Sequence, residues 1–326
     1  MQKIGITTTI PAEIIYAAGA VPVDLNNIFI TSPHKEQAIA AAELAGYPRT
    51  VCGWIKGIYG MVAKFRAVDK LVAVSEGDCS QTHALMETLE ELGVVTLPFA
   101  YPFDRDEAAL KRQMDKLASA LGAGWPGIER EKERLDEARR PVWEIDRLAW
   151  QEGLVSGWEN HYYQVSCSDF EGDPEAFAKS AAQFISRTQK RNPLHGFLRL
   201  GFIGVPPIFD DLYEYLQEQG ALVVFNEVQR QFSLPYERLP FLRRYLAYTY
   251  PYHVAGRAAD IAEQVETRRI DALIHYAQSF CFRQIEDIYF RKRLRVPILS
   301  LEGDGPGPLD ARTKMRIETF LSMLKK

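Results

Sequence analysis

The chain has 326 residues, a formal net charge of −4 and a hydrophobic content of 47%. This length accommodates two domains of ordinary size, and the composition is typical of a soluble globular protein. The mild negative charge makes neither nucleic acid nor an anionic membrane an expected partner. The sequence has no apolar run of membrane-spanning length, and its first residues, MQKIGITTT, lack the basic and apolar regions of a signal peptide. We therefore expect a cytoplasmic protein without a membrane partner.

The first third of the chain alternates short apolar runs with helical patterns, which is typical of an α/β layer. An alanine-rich helix is predicted over residues 34–46, and a second helix opens at Cys52. We assign residues 1–103 to an N-terminal α/β domain. Its predicted strands are Ile4–Thr8, VPVDL, NIFI, Lys70–Ser75 and VVTLPFA.

Residues 104–192 are richer in charge and in helix formers. Segments such as DRDEAALKRQMDKLASAL and DPEAFAKSAAQFISRTQKR predict helices. The stretch IEREKERLDEARRPVWEIDRLAWQEGL is also rich in helix formers, and Pro141 predicts a break or kink within it. Charge runs of this kind are typical of solvated helix faces. We expect a helical region that bridges or caps two α/β layers.

The α/β pattern resumes in residues 193–326, and its most informative part is a β-α-β unit. Asp271–Tyr276 predicts a buried strand, Cys281 follows it, and Val296–Leu301 predicts the next strand. The helix between them is predicted to be amphipathic. The apolar residues that share one face of it are Ile285, Ile288 and Tyr289. In a parallel sheet this order places Cys281 at the carboxyl end of a strand, where functional residues collect.

Cys79 lies at a similar strand-to-helix junction, and Cys52 lies at a helix start. The free N–H groups and the dipole at a helix N-terminus favour a thiolate, and thiolates bind iron–sulfur clusters, zinc or copper. A four-iron cluster normally takes four cysteines, so three would leave one iron open. The alternative is that all four cysteines are buried thiols, because no CxxC spacing is present. Cys167, within the helical region, is expected to be such a thiol or to face a lid.

Other sites have weaker support from the sequence. It contains no GxGxxG, Walker or GxSxG motif. The histidines are scattered without the spacing of metal ligands. They are His34, His83, His161, His195, His253 and His275.

The chain resembles the 2-hydroxyacyl-CoA dehydratase family, which includes the subunits of benzoyl-CoA reductase and the double-cubane-cluster proteins. The similarity covers most of the chain apart from the helical middle, and it depends on the order of several segments and on three cysteine positions. The matching segments are TTTIPAEIIYAAGAVPVDL, RTVCGWIKGIYG, GDCSQTHALMETL, RLGFIGVPPIFDDLYEYLQEQGALVVFNEV, HYAQSFCFRQIED, VPILSLEGD and RTKMRIETF.

The resemblance implies two Rossmann-like (flavodoxin-like) parallel-sheet domains with a helical insertion and an iron–sulfur cluster in the cleft between the domains. Three cysteines per subunit hold the cluster in the family, and they match Cys52, Cys79 and Cys281. The cluster would be of the 4Fe–4S type, or a double-cubane 8Fe–9S cluster shared across a dimer. Family dehydratases pair two related subunits, so the second subunit here would be related or identical.

The resemblance also implies an anaerobic lyase that acts on an acyl-CoA. In the family, a separate ATP-dependent iron–sulfur activator injects one electron, the thioester becomes a ketyl radical, and the radical expels the 2-hydroxyl group. The alternative functions are an ATP-dependent low-potential reductase or electron-transfer component and a companion subunit without turnover of its own. Glu13 lies in a segment that approaches the site in relatives, so it is a candidate for proton transfer, although a carboxylate stabilised by the helix dipole explains it better.

The sequence departs from the family where the cysteines are often followed by aspartate. Here Ser80 follows Cys79, and Phe282 follows Cys281. The chain is also shorter than many members, so the channel for the acyl-CoA is expected to be trimmed.

Overall fold

The computed structural model describes residues 1–325 and contains two parallel sheets with helices packed around them. The strands are β1 (Lys3–Ile6), β2 (Val21–Asp24), β3 (Lys70–Glu76), β4 (Val95–Ala100), β5 (Leu198–Gly204), β6 (Ala221–Asn226), β7 (Ala272–Gln278) and β8 (Ile298–Gly303). The helices are α1 (Ala12–Ala17), α2 (Leu25–Ile30), α3 (Lys35–Leu44), α4 (Gly53–Ala63), α5 (Thr82–Glu90), α6 (Glu107–Leu121), α7 (Trp125–Arg147), α8 (Gly157–Val165), α9 (Pro174–Thr188), α10 (Leu212–Glu218), α11 (Glu227–Phe232), α12 (Phe241–Ala247), α13 (Val254–Arg268), α14 (Glu286–Arg293) and α15 (Ala311–Leu324).

The two sheets have the same strand order relative to the chain. The first runs β2-β1-β3-β4 and the second β6-β5-β7-β8, and every pairing is parallel. This is the order of flavodoxin-like sheets, in which the chain reverses direction across the sheet after its second strand, so that the point of reversal lies between β1 and β3 and between β5 and β7. Ligands of such sheets bind outside the carboxyl ends of the strands at the point of reversal. The α/β class and the two Rossmann-like sheets expected from the sequence are therefore confirmed.

The inner strands form because their sequences are almost continuously apolar. Leu71–Val74 of β3 are fully buried, and every residue of β7 is buried. Strands covered by helices on both faces have this composition, since no side of them faces water. The two sheets lie within residues 3–100 and 198–303, inside the predicted N-terminal and C-terminal domains, and helices α6 to α9 lie between them. The domain boundaries themselves stay a prediction.

One hydrophobic cluster joins the two halves. It contains Phe29 and Leu71 from the first half and Phe202 and Tyr276 from the second. Burial of each such side chain stabilises the fold by about 1.5–3 kcal/mol. The two sheets are thus held against one another by apolar packing and not only by the connecting chain.

The structure differs from the sequence prediction at the NIFI segment, which is not a strand. It forms α2, and the Asp24 side chain caps this helix by accepting a hydrogen bond of 2.9 Å from the backbone N–H of Asn26. A four-residue apolar run does not distinguish a strand from a buried helical turn, and the cap decides between them here.

Helix α7 also runs without a break through Pro141. Proline removes the N–H that would bond to the carbonyl of Glu137, and Glu137 is exposed, so water can satisfy that carbonyl. No helix within residues 1–325 combines the length and the apolar character needed to cross a membrane.

Candidate active site

A cavity of about 920 Å³ lies at the carboxyl ends of the strands of both sheets. The loops that follow β1, β3, β5 and β7 all contribute to its wall, and so does α8 of the helical region. Its size is that of a site for an organic molecule. Cys52, Cys79 and Cys281 all line it.

Cys79 and Cys281 occupy equivalent positions in the two sheets. Cys79 is the third residue after β3, and Cys281 is the third residue after β7, which is the corresponding strand of the second sheet. Cys281 is also the residue that precedes a short 3-10 helix, Phe282–Ile285, which leads into α14. The common topology therefore brings two cysteines more than 200 residues apart to one cavity.

Cys52 reaches the same cavity by another route, at the N-terminal end of α4. The first residue of that helix, Gly53, packs against the loop after β8. A Cβ atom at this position would lie 2.6 Å from the carbonyl oxygen of Asp304. Only glycine allows so close an approach, and this contact holds Cys52 at the edge of the second sheet although it belongs to the first half of the chain.

The three thiols are close enough to affect one another electrostatically. The pKa of Cys52 is raised to about 11, chiefly by burial and in part by the nearby charge of Cys281. Burial also raises the pKa values of Cys79 and Cys281. The charges of Cys52 and Cys281 contribute to the rise in the pKa of Cys79. Backbone N–H groups oppose these rises, and one of them, from Gln81, lies 3.4 Å from the Cys79 sulfur. The metal-free thiols are therefore protonated, and metal binding would release their protons.

Within residues 1–325, no three His, Cys, Asp or Glu side chains converge on a point at which a single metal ion could bind. A cluster with several irons places its thiolate ligands on different metal atoms, so its donors do not need to converge. Three thiols around one cavity, each near backbone N–H groups, are compatible with such a group. Two buried polar atoms of the cavity wall, Oε1 of Gln278 and Nε1 of Trp54, have no hydrogen-bond partner in the described part of the chain.

A charged network connects the two equivalent cysteine loops. Tyr250 donates a hydrogen bond of 2.9 Å to Asp78, which precedes Cys79. The buried guanidinium of Arg283, two residues after Cys281, stacks on the Tyr250 ring at 4.2 Å. Burial raises the pKa of the Asp78 carboxyl, and the Arg283 charge opposes that rise. The network fixes the loops relative to one another and places a permanent positive charge beside the thiols.

A pair of carboxyl groups, Asp24 and Asp169, lies elsewhere on the cavity wall. Asp169 accepts hydrogen bonds from the backbone N–H groups of Asp24, at 2.7 Å, and of Glu171, at 3.0 Å. Burial, followed by the nearby charge of Asp24, raises the pKa of Asp169 to about 7. Burial raises the pKa of Asp24 as well. Two carboxyl groups in one buried site cannot both ionise at low cost.

His161 of α8 lines the cavity and is 8% exposed. Its Nδ1 atom lies 3.1 Å from the hydroxyl of Tyr213 and 3.2 Å from Nε2 of Gln229. Burial lowers its pKa to about 3, so the ring is neutral. The ring of Trp158 stacks on it with 5.2 Å between the centroids.

Glu13 and Cys167 lie away from the cavity wall. Glu13 is fully buried in α1, where it pairs with Arg139 at 2.8 Å and accepts a hydrogen bond of 2.7 Å from Tyr245. These contacts favour the structural role of Glu13 over proton transfer. Cys167 is 1% exposed, and its thiol donates to the carbonyl of Tyr163. It is the buried thiol expected from the sequence.

An apolar patch surrounds Cys281 on the surface. It consists of Phe280, Phe282, Ile285 and Ile288, and Phe280 is 74% exposed. Of the apolar face predicted for the helix after Cys281, Ile285 and Ile288 therefore face solvent, whereas Tyr289 packs against the core of the second half. Phe280 also has a φ of +61°, which is uncommon for a bulky residue and marks local backbone strain.

No sequence pattern indicated roles for Asp169, His161 and Arg283. Asp169 bonds to Asp24, which is 145 residues away along the chain. His161 contacts Tyr213, 52 residues away, and Arg283 bonds to Tyr250, 33 residues away. No short motif carries contacts of that range.

Comparison with protein families gives a match over almost the whole chain. The family model for the 2-hydroxyglutaryl-CoA dehydratase D-component matches residues 7–324. No curated protein matches the chain significantly. The matched range includes the whole helical middle, as well as the segments that carry the resemblance.

Proposed function

Because the chain belongs to the family of 2-hydroxyglutaryl-CoA dehydratase D-components, we propose that it is the iron–sulfur subunit of an enzyme that dehydrates a 2-hydroxyacyl-CoA. The observation that carries the proposal is the presence of Cys52, Cys79 and Cys281 on the wall of one cavity. The three thiols come from three separate segments of the chain and line the same cavity, which their distance along the sequence alone does not require.

Cys52, Cys79 and Cys281 would hold the cluster, whose chemistry is one-electron transfer with an iron open to a ligand. The protein's own groups would set the environment of the site. Arg283 offsets negative charge beside the thiolates, and the backbone N–H groups near each sulfur donate to it. The buried carboxyl of Asp169, with its pKa near 7, can hold a proton close to neutral pH.

The proposed partners are an acyl-CoA substrate, an ATP-dependent activator that supplies the electron, and a second subunit that is related or identical. The apolar patch around Cys281 supports the last of these. Exposed contiguous apolar residues are typical of protein interfaces, and this patch includes a residue held in a strained conformation. We assign the patch to the contact with the second subunit.

The cavity favours a substrate-binding subunit over an electron-transfer component. Electron transfer requires only a cluster near the surface, whereas this cavity of about 920 Å³ extends from the cysteines to Trp158 and His161 on α8. A cavity of that size accommodates the acyl part of a thioester and some of the chain that follows it.

The experiment is anaerobic purification followed by measurement of iron, sulfide, visible absorbance and the EPR spectrum of the reduced protein. Alanine variants of Cys52, Cys79 and Cys281 should each lose most of the iron. Cys167→Ala is the matched control, because this thiol is buried away from the cavity and its loss should leave the iron content unchanged. A wild-type protein that binds no iron under anaerobic reconstitution would contradict the proposal.

Turnover distinguishes the dehydratase from the alternative reductase. With an activator, ATP and a reductant, a dehydratase converts a 2-hydroxyacyl-CoA to the enoyl-CoA without net consumption of electrons. A reductase consumes two electrons for each product. Two 4Fe–4S clusters and one 8Fe–9S cluster hold the same amount of iron per dimer, so the sulfide-to-iron ratio and the EPR spectrum of the reduced protein distinguish them.

A further inference from the structure

Helix α8 turns one face toward the cavity, and on that face His161 has a ring atom that no protein group uses. Nε2 of His161 has no hydrogen-bond partner among residues 1–325, and unlike Nε2 of His275 it is not enclosed by protein atoms. His161 is 8% exposed and lines the cavity. Its small accessible surface therefore includes Nε2, which is the ring nitrogen that a ligand can reach.

The amide of Gln229 determines which nitrogen of the His161 ring carries the proton. Nε2 of Gln229 lies 3.2 Å from Nδ1 of His161 and 3.3 Å from the Tyr213 hydroxyl, and an amide nitrogen can only donate. The Tyr213 hydroxyl in turn donates to Oδ1 of Asn226 at 2.8 Å. Nδ1 of His161 is therefore an acceptor. Burial lowers the pKa of His161 to about 3, so the ring is neutral and its single proton lies on Nε2.

The N–H group of His161 is held in a fixed direction. Trp158 stacks on the ring at 5.2 Å between centroids with an angle of 21° between the planes. Tyr213 lies on another side of the ring, also at 5.2 Å. A neutral imidazole donates a hydrogen bond and keeps its proton, because it is a far weaker acid than an imidazolium. The α8 wall therefore presents a fixed donor to an oxygen acceptor in the cavity.

His161 lies over the same edge of the second sheet as the Cys281 loop. Its neighbour Tyr213 bonds to Asn226, the last residue of β6, and Cys281 follows β7. Only β5 separates these two strands in the sheet. At the usual spacing of neighbouring strands, their ends are about 10 Å apart. A small acyl group bound at His161 therefore extends toward the thiols.

We propose that the Nε2–H group of His161 donates a hydrogen bond to the carbonyl oxygen of the thioester and stabilises the negative charge that this oxygen acquires when the substrate takes up an electron. This inference rests on the proposed function, in which the ATP-dependent activator supplies the electron. The C=O group then becomes a radical anion, and His161 donates to it without giving up a proton. Fixed donors aimed at an oxygen on which charge develops stabilise the transition state more than the ground state.

The first test concerns the ring alone. In anaerobic, metal-free protein labelled with ¹⁵N-histidine, the nitrogen shifts of His161 should show a proton on Nε2 and none on Nδ1 at neutral pH. His161→Gln identifies the resonance by its loss. A proton on Nδ1 would overturn the inference, whatever the protein is found to catalyse.

The second test is the infrared spectrum of bound butanoyl-CoA labelled with ¹³C at the carbonyl. This probe has no 2-hydroxyl group to lose, so it binds without turnover. In iron-loaded, unreduced wild-type protein the carbonyl stretch should move to lower wavenumber, and in His161→Phe this shift should be lost. His161→Gln, which places an amide N–H near the same point, should restore part of it. His195→Phe, in an exposed loop, is the control and should keep the shift.

Kinetics with an activator, ATP and a reductant provide the third test. Loss of one donor to a charged transition-state oxygen lowers kcat by roughly a hundredfold or more. We expect such a loss in His161→Phe with a change in KM of about tenfold or less, because the hydrogen bond to the uncharged carbonyl is weaker. A fall in kcat/KM that comes from KM alone would overturn the role in stabilising charge.

The outcomes separate this inference from the proposed function. Iron-loaded protein that dehydrates its substrate, but whose bound probe has a carbonyl stretch independent of His161, would overturn the role of His161 and leave the dehydratase proposal standing. Wild-type protein that binds no iron under anaerobic reconstitution contradicts the dehydratase proposal, and the inference fails with it.

Discussion

The backbone N–H of Asp24 donates a hydrogen bond of 2.7 Å to the carboxyl of Asp169, 145 residues further along the chain. This bond joins the end of β2 to the segment after α8, and it brings two carboxyl groups together in a buried part of the cavity wall. The first sheet and the helical region are therefore connected by groups whose charge depends on pH.

The stability of the fold should depend on the protonation of Asp169. An unfolded aspartate has a pKa of about 3.9, and the pKa of Asp169 in the folded protein is raised to about 7. The folded state thus holds a proton that the unfolded chain has lost across that window, so stability falls as the pH rises through it. We expect the free energy of unfolding to be roughly 2 kcal/mol higher at about pH 5.5 than at about pH 8 because of Asp169. Urea unfolding at the two pH values measures this difference.

Asp169→Asn should reduce this pH dependence, because the asparagine has no proton to lose. Asp104→Asn, at an exposed position, should keep the wild-type dependence. An unchanged slope in Asp169→Asn would show that the carboxyl is not protonated in the folded protein.

Removal of the Glu13 carboxylate should destabilise the protein without altering the cavity. Glu13→Ala leaves the buried guanidinium of Arg139 without its 2.8 Å partner, and the expected loss is about 3 kcal/mol of unfolding free energy. Glu13→Gln keeps an acceptor and should lose less, about 1–2 kcal/mol. Glu129→Ala, at an exposed position, is the control. A folded, iron-loaded Glu13→Gln protein with turnover reduced a hundredfold or more would instead support proton transfer by Glu13.

Gly53→Ala should disturb the position of Cys52. Alanine normally favours a helix over glycine by up to about 1 kcal/mol, but its Cβ would here lie 2.6 Å from the carbonyl oxygen of Asp304. We expect a net loss of about 1–3 kcal/mol and a lower iron content after anaerobic reconstitution. Gly305→Ala is the matched control, since a Cβ at that position meets no atom within 4 Å. Equal iron content in both variants would mean that the contact at Gly53 does not position Cys52.

Charged substitutions in the apolar patch should weaken assembly and leave the fold intact. Ile285 and Ile288 are 69% and 59% exposed, so a change to lysine removes little buried surface of the isolated chain. We expect the double variant Ile285→Lys/Ile288→Lys to shift the dissociation constant of the subunit pair by tenfold or more, measured by analytical ultracentrifugation at unchanged melting temperature. Leu44→Lys, at an exposed apolar residue outside the patch, should have no such effect. Unaltered assembly in the double variant would place the subunit contact elsewhere.

Sequence patterns predicted the elements of the fold wherever local chemistry decides structure. The strand, cysteine, helix and strand around Cys281 were confirmed, because apolar runs bounded by turn residues specify buried parallel strands. Helices α6 to α9 lie in the segment where helix formers predict them, and the bounds of a helical region stay a prediction. The α2 segment was wrongly predicted as a strand, because its helix depends on the cap at Asp24. The break or kink predicted at Pro141 was also wrong, because α7 continues through that proline.

The candidate site was predictable only in part. Positions after parallel strands indicated Cys79 and Cys281, because such strands end at one edge of their sheet. The approach of Cys52 depends on the contact between Gly53 and Asp304, which joins distant parts of the chain. The pair of Asp24 and Asp169 and the orientation of His161 arise from tertiary contacts that no periodicity records.

The distribution of the cysteines along the chain has a consequence for the order of events during synthesis. Cys52 and Cys79 leave the ribosome more than 200 residues before Cys281. The complete set of thiols can exist only after residue 281 has been made and the second sheet has formed. If the three thiols hold a cluster as proposed, metal insertion would follow the synthesis of β7, because a shorter chain would present only two of the three sulfur atoms.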